Sequence, residues 1–505
     1  MSRRRRFFIN GILLTVVGLA VRSVSIAFNS YITKAVGAEG IGLFTLIMNI
    51  YGFAITFATS GISLTVTRLI AEAIGEERSG ECRKIMRNAC IYSLLFSTVA
   101  SFIMFFFAEY FSLKFVGDTR AFLPLRILAI SLIPLSLASV ISGYFVGVKR
   151  VGRNATVQVL AQVFKIVVTI YLVLRYAERG VLFTVIMLTL SITLTEAFVF
   201  LILTLEYVID RKYLIGAVRE NKTSFNSITS MALPLALSAY IRSALITLEH
   251  ALIPRGLTKG GKTTAEALAS YGVLHGMVVP MLLYPMSVLT SFAGLLVPEF
   301  AESFARGERE RMRRVAGEAL EATLAYSTAA TVILFVFAEE LGYILYDSYY
   351  AGYYISLMSF VIPIMYLDHV ADSMLKGIGE HVYSMWVNIF DALLSVFLVW
   401  LLIPLMGIGG YAFVIVIMEA FNFVFSISRL YKRIPFKISF KRGFLFPFVS
   451  AFLSVCLSKS LFIMNGSEAI GVWFFLKLLF TVCAFICLYL FTKKLGNRKT
   501  VAELR

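Results

Sequence analysis

Stretches of roughly twenty or more apolar residues recur along the whole chain, each parted from the next by a short polar loop, and this pattern leaves few folds open. A helix needs about 20 apolar residues to cross the ~30 Å hydrocarbon core of a bilayer. Such stretches lie near 7–33, 41–67, 85–110, 121–147, 155–174, 181–205, 228–253, 268–297, 319–345, 352–375, 382–406, 408–430, 444–464 and 471–491. None alternates polar and apolar residues as a barrel strand does, so the spans are helices that satisfy their own backbone. The predicted fold class is all-α, a polytopic membrane protein of about 14 transmembrane helices. No loop is long enough to form a separate soluble domain.

A formal net charge of +17 raises the question of a nucleic-acid partner. The placement of the basic residues answers it. Arg3 to Arg6, then Arg78, Arg83, Lys84 and Arg87, then Lys149, Arg150 and Arg153 occupy alternate loops. Arg211, Lys212, Arg219 and Lys222, the cluster from Arg306 to Arg314, and Lys432, Arg433, Lys437, Lys441 and Arg442 continue the series. That is the distribution of cytoplasmic loops, so a multi-pass protein of the cell membrane with both termini in the cytoplasm is expected, and no nucleic acid. The basic start and the apolar run after it are too long for a signal peptide and meet no small-residue cleavage site, so they are expected to stay as the first helix. Cys82, Cys90, Cys456, Cys483 and Cys487 form neither a metal-type pair nor a disulfide framework.

The chain repeats itself. A shift of 220 lays Arg22-Ser23 on Arg242-Ser243 and Asn29 on Glu249; one near 230 lays Ala71-Glu72 on Ala301-Glu302; one near 226 sets Gln162 and Lys165 against Asn388 and Asp391. The predicted division is 1–220 and 221–435, six helices each, and 436–505, which holds helices 13 and 14 and a cytoplasmic tail. An even number of spans gives the two halves one orientation, with a pseudo-axis along the membrane normal.

Ionisable side chains at bilayer depth cost at least about 2.5–3.5 kcal/mol, so they face a wet cavity or a partner. Arg22 and Asn29 share a face of helix 1, and Arg242 and Glu249 repeat that spacing in helix 7. Two arginines near mid-membrane suit a phosphate, which guanidinium binds through paired charge-assisted hydrogen bonds. The alternative is a network in which Glu249 neutralises an arginine and locks helices together. Gln158, Gln162 and Lys165 form a polar stripe on helix 5, and helix 11 carries Asn388 and Asp391; an interhelical seam and a pathway lining are equal readings. Glu196 and Glu419 are similarly placed in helices 6 and 12. Asp368, His369 and Asp372 in helix 10 read as a helix end or wet vestibule before a metal site, and His275 as a packing residue. Pro134, Pro280 and Pro285 mark sites where helices bend. No nucleophile-elbow, HExxH, phosphate-loop or paired-acid motif is present, so neither an enzyme nor a cofactor is expected. With no ATP motif, the expected driving force is the membrane potential or a gradient of a coupling cation.

Several stretches carry a family resemblance. These are residues Gly37 to Phe44, Thr67 to Ala73, Ser142 to Gly147, Tyr271-Gly272 with Gly276-Met277, and Leu296 to Glu302. Over roughly 7–495 the chain resembles the stage V sporulation protein B and lipid II flippase branch of the multidrug, oligosaccharidyl-lipid and polysaccharide exporter superfamily. The resemblance implies two six-helix lobes in a V, a central cavity with essential arginines where Arg22 and Arg242 fall, and export of undecaprenyl-diphosphate-linked sugars. It also implies that helices 13 and 14 receive the lipid tail. Glu249 beside Arg242 departs from a purely cationic cavity.

The expected function is a flippase moving a lipid-linked oligosaccharide among membrane lipids. Its substrate-binding residues would be drawn from Arg22, Asn29, Gln162, Lys165, Arg242, Glu249 and Asp391. Two rivals stand beside it. A cation-coupled multidrug exporter of the same superfamily would use Glu249, Asp391 and Glu419, and a non-transporting scaffold for envelope synthesis would use the basic loops.

Overall fold

The computed structural model describes the backbone of residues 3–76, 79–176, 179–210, 225–462 and 472–503, and the side chains at all of these except 3–22, 75, 79, 151, 234–235, 462, 472 and 493–503. Every regular element among them is helical. In chain order the helical segments are α1 (3–36), α2 (38–75), α3 (82–116), α4 (119–147), α5 (Val151–Tyr176), α6 (Val181–Asp210) and α7 (Phe225–Lys259). There follow α8 (264–305), α9 (309–346), α10 (349–377), α11 (381–406), α12 (408–433), α13 (441–462) and α14 (Val472–Glu503). Among the described residues 10 helices are long and apolar enough to cross a membrane, or 12 when the bent pairs within α7 and α10 each count as one span. Ser23–Ile74 and His381–Arg433, of 52 and 53 residues, are each broken at a left-handed glycine, Gly37 (φ 76°) and Gly407 (φ 62°). The fourteen crossings expected from the sequence are reached only if both arms of these two are counted.

The backbone carries the repeat in its own geometry. Eight of the eleven left-handed residues among those described fall in pairs 224 to 230 positions apart: Gly37 with Gly261, Gly117 with Asp347, Lys149 with Gly379, and Gly180 with Gly407. Phe107 (φ −95°, ψ 12°) and Phe337 (φ −100°, ψ 13°) each interrupt a helix at the head of the same tripeptide, Phe-Ala-Glu. Such breaks need particular residues, since a left-handed turn costs a side chain with a Cβ about 1–2 kcal/mol. Their recurrence is a stronger trace of duplication than matches in apolar sequence.

The described chain groups into two compact units, cut differently from 1–220, 221–435 and 436–505. One comprises Met1–Lys34, Val273–Leu394 and Gly409–Arg505, the other Ala35–Gly272 and Ser395–Ile408. Hydrogen bonds explain the exchange of α1 and α7. In the first unit Asn29 donates to the Gly276 carbonyl (3.1 Å), Lys34 to Ile344 (2.6 Å), and Ser30 to Leu345. In the second, Thr247 of α7 donates to the Asn49 carbonyl (3.2 Å), and Tyr240 bonds Ser60. The first unit also docks α13 and α14: α13 packs on α9 and α14, Gly443 meets Leu324, and the Ser439 amide donates to Glu321 (3.2 Å).

Within the second unit α2 crosses α8 at two glycines. A Cβ on Gly42 would strike the Leu268 carbonyl, and one on Gly272 would strike that of Ala38. Gly42 and Gly272, like Ala38 and Leu268, are 230 residues apart, so the contact is reciprocal between repeat positions. Small residues let membrane helices approach to backbone contact, where packing replaces the hydrophobic drive that lipid removes.

Each repeat closes its basic end with an ion pair, and the sign is reversed between them. In the first repeat Asp210, at the end of α6, accepts from Arg150, from Arg153 (3.1 Å) and from the Tyr144 hydroxyl (2.8 Å). In the second the acid precedes α11, and Glu380 binds Arg429 (2.8 Å) and Arg433 (2.5 Å) at the end of α12. Arg429 foremost, then Arg433, holds the Glu380 carboxyl below the usual carboxylate range. A depressed folded value means stability that is complete above the unfolded value of about 4.3 and is lost as pH falls through the lower, folded one.

Two stability predictions follow from these contacts. Gly272→Ala is expected to lower the thermal unfolding midpoint in detergent, at an overpacking cost of about 1–3 kcal/mol. Gly52→Ala, whose Cβ meets nothing within 4 Å, leaves it unchanged or slightly raised; equal shifts would remove the crossing from the account. On acidification below about pH 4.3 the native midpoint should fall, and Glu380→Gln should begin lower at neutral pH and lose that part of the acid response. Parallel acid profiles for the two chains would contradict the assignment.

Candidate functional site

The residues singled out in the sequence divide between the two units. Asn29 and Asp391 lie in the first; Gln162, Lys165, Arg242 and Glu249 lie in the second. Arg22 belongs to α1, but its side chain lies outside the described residues. Arg242 is exposed on α7, and Glu249, two turns on, is half-buried and within electrostatic reach of Tyr271.

In the second unit α5 and α6 face each other with opposite charges. Lys165 and Glu196 lie within electrostatic reach, and Glu196 also reaches Tyr51 on α2, whose hydroxyl bonds Ser131 of α4 (2.6 Å). Gln162 is one turn from Lys165 on the same face. Four helices thus bring a cation, an anion and two hydroxyls together at membrane depth. A second polar group joins α2, α7 and α8: Asn49 donates to the Tyr271 hydroxyl (2.9 Å), which also meets His250 Nδ1 (2.9 Å). Sequence reasoning passed over His250, although a histidine next to Glu249 in an apolar helix was the available signal.

In the first unit Asp391 on α11, 226 residues after Lys165, and Glu419 on α12 are both acids. Glu419 lies within electrostatic reach of Asp391 and of Asp368 on α10, and Asp368 bonds Ser426. Three helices therefore converge three carboxylates. Asp368 Oδ1 and the neighbouring His369 Nε2 are buried without a hydrogen-bond partner. Asp372 pairs with Lys376 at 2.6 Å and lies within electrostatic reach of both Asp368 and His369, so the three side chains form one polar cluster on α10. No set of three His, Cys, Asp or Glu among the described residues is arranged to hold a metal ion.

Local helix irregularity positions the rest. Val273–Val278 is a π-turn inside α8, a form that often marks functional sites. Asn29 takes the Gly276 carbonyl there, and His275 Nε2 bonds the Tyr411 hydroxyl of α12 (2.7 Å), so His275 is a cross-helix polar contact as well as a packing residue. Beside Pro285, the hydroxyls of Tyr326 and Tyr366 donate to the carbonyls of Pro285 (2.8 Å) and Leu282 (2.7 Å), tying α9 and α10 to α8.

Comparison with known proteins agrees with this architecture. The family described as polysaccharide biosynthesis protein matches residues 8–304, more than half of the chain. The chain belongs to that family. The MatE family also matches residues 260–401. Stage V sporulation protein B of Bacillus subtilis (strain 168) is 24% identical over 425 residues, 82% of this chain and 81% of that protein. Lipid II flippase MurJ of the same organism is 23% identical over 314 residues, 57% of this chain and 56% of that one. A structure of lipid II flippase MurJ in an inward closed conformation superposes with a TM-score of 0.72 at 12% identity, covering 96% of this chain and 99% of its own. An inward-facing multidrug resistance MATE family transporter of the MOP superfamily gives 0.64 at 16% identity, covering 83% and 98%. The fold is that of these transporters, in the branch of the superfamily that the sequence motifs resemble, and the chain is a multi-pass membrane protein.

The α5–α6 charges predict a coupled response. Lys165→Met and Glu196→Leu each leave one charge at membrane depth and should destabilise the protein by about 2.5–3.5 kcal/mol in denaturing-detergent titrations. The double variant should recover at least half of the summed loss; strict additivity would show that the two side chains do not act on each other.

Proposed function

We propose that the chain is a flippase that exports an undecaprenyl-diphosphate-linked glycan, a peptidoglycan precursor of the lipid II type, by alternating access. The observation that carries this reading is the reach of the fold match. The lipid II flippase fold covers 96% of the chain, whereas the multidrug transporter folds cover 83% or 84%. The shortfall is close to the length of 436–505, the segment of α13 and α14. An added helix pair suits a substrate with a long lipid tail that stays in the bilayer while its head crosses. Spore cortex or cell-wall synthesis is the setting that the similarity to stage V sporulation protein B suggests.

In this reading Arg22 and Arg242 bind the diphosphate through charge-assisted hydrogen bonds. Asn29, Glu249, Gln162 and Lys165 contact the sugars and the remaining phosphate oxygens. The sequence halves 1–220 and 221–435 are the duplicated bodies, and 436–505 is an addition. The termini lie in the cytoplasm, as the basic loops require.

The three carboxylates favour a coupling cation. Asp368, Asp391 and Glu419 gather negative charge where lipid excludes bulk counter-ions, and like charges so placed must share a proton or draw a cation. Asp391 belongs to this ion-binding group more than to a glycan contact. The same acids are what a cation-coupled multidrug exporter would use, which keeps that alternative in view.

Proteoliposomes loaded with purified lipid II test the reading. The native chain should translocate it, and Arg22→Ala and Arg242→Ala should each reduce the rate at least about tenfold, the loss of one charge-assisted contact, without loss of folded protein. Unchanged transport in both variants would sink the cavity assignment, and a native chain that moves organic cations instead would install the exporter. Asp391→Asn and Glu419→Gln should leave lipid II binding intact while abolishing any stimulation by an imposed cation gradient.

A further inference from the structure

A small pocket at the basic end of the first unit has no part in the reading above. It lies between α11 and α12, has a volume of about 190 Å³, and is lined by Tyr383, Val424, Phe425, Ser428, Arg429 and Lys432. Its charge is unbalanced. Arg429 and Arg433 share the single carboxylate of Glu380, and Lys432 is exposed and forms no ion pair among the described residues, so three cations stand against one anion. The Tyr383 hydroxyl donates to the Phe425 carbonyl (3.2 Å), and the Arg429 guanidinium lies 4.8 Å from the Tyr383 ring centre, which fixes both groups at the rim.

The surroundings set the depth of this pocket. Tyr383, Trp386 one turn along α11 (52% exposed) and Tyr431 on α12 (53% exposed) form an aromatic belt, which in membrane proteins lies at headgroup level. Lys432, Arg433 and Lys437 follow on the polar side. Val424 and Phe425, both exposed, continue the pocket toward the apolar side. Cationic and hydroxyl groups above, aromatic rings at the level of the glycerol, and the apolar surface of Val424 and Phe425 below match the layers of one phospholipid.

We propose that this pocket is a binding site for the headgroup phosphate of an anionic membrane phospholipid. Basic pockets between helices on the cytoplasmic side recognise such headgroups, and each Lys or Arg near the surface contributes about 1 kcal/mol, roughly fivefold in affinity. A zwitterionic headgroup brings its own cation and gains nothing from the excess charge. The site is independent of what the protein transports.

The chain contains its own reporter. Of its three tryptophans, Trp386 stands one helical turn from Tyr383, and Trp400→Phe with Trp473→Phe leaves it alone. The full chain carrying these two changes is reconstituted into phosphatidylcholine vesicles containing brominated phosphatidylglycerol or brominated phosphatidylcholine, and quenching of Trp386 is measured. Brominated phosphatidylglycerol should quench beyond its mole fraction, and Lys432→Ala should cut that preference about fivefold. Arg429→Gln should cut it similarly, and Arg83→Ala, exposed on a different basic loop, should leave it intact. Equal quenching by the two lipids, a preference that survives Lys432→Ala, or an equal loss in Arg83→Ala would overturn the proposal, the last outcome marking diffuse surface charge alone.

Discussion

Lipid offers a peptide group no hydrogen bond, so every irregularity in this fold must be answered from within the chain. Helices satisfy most of the backbone, and the instructive places are those where they do not. The π-turn of α8 leaves the Gly276 carbonyl to Asn29; the end of α9 leaves Ile344 and Leu345 to Lys34 and Ser30; around Pro285 two tyrosine hydroxyls bond the Pro285 and Leu282 carbonyls. Three of the five bonds come from α1. That helix is held in its unit by repairing breaks in other helices, which is why it groups with residues far along the chain.

The same economy governs charge. Each repeat places ionisable groups at three equivalent levels: in the helix that carries Arg242, on the facing helices α5 and α6 or α11 and α12, and at the basic end. At the last two levels the signs differ. α5 and α6 set Lys165 opposite Glu196, where α11 and α12 set Asp391 opposite Glu419, and arginines closing on Asp210 become Glu380 closing on arginines. A pair of opposite charges is self-contained in a low-dielectric setting, whereas a pair of acids depends on something small and positive.

Much of this was legible in residues alone. Span positions followed from apolar length, and the duplication showed in Arg22-Ser23 against Arg242-Ser243 and Ala71-Glu72 against Ala301-Glu302. That a single left-handed glycine, Gly37 or Gly407, would make the whole break between two helices was not legible, because a glycine between two apolar runs reads equally as a loop or as a bend. Nor was the grouping of α1 and α7, since their partners lie hundreds of residues away and periodicity reports only which face is apolar. Asp368, Asp391 and Glu419 each stood out singly as acids in apolar helices. Their meeting required the packing of α10, α11 and α12. His250 escaped attention because one histidine in a helix carries no spacing to interpret.

The two repeats answer differently to the ions around them. Lys165 and Glu196 neutralise each other, so a cation gains little at that pair, whereas Asp368, Asp391 and Glu419 leave α10, α11 and α12 short of positive charge. A change in the supply of protons or small cations therefore bears on the acidic cluster of the first unit and leaves the balanced pair of the second as it was.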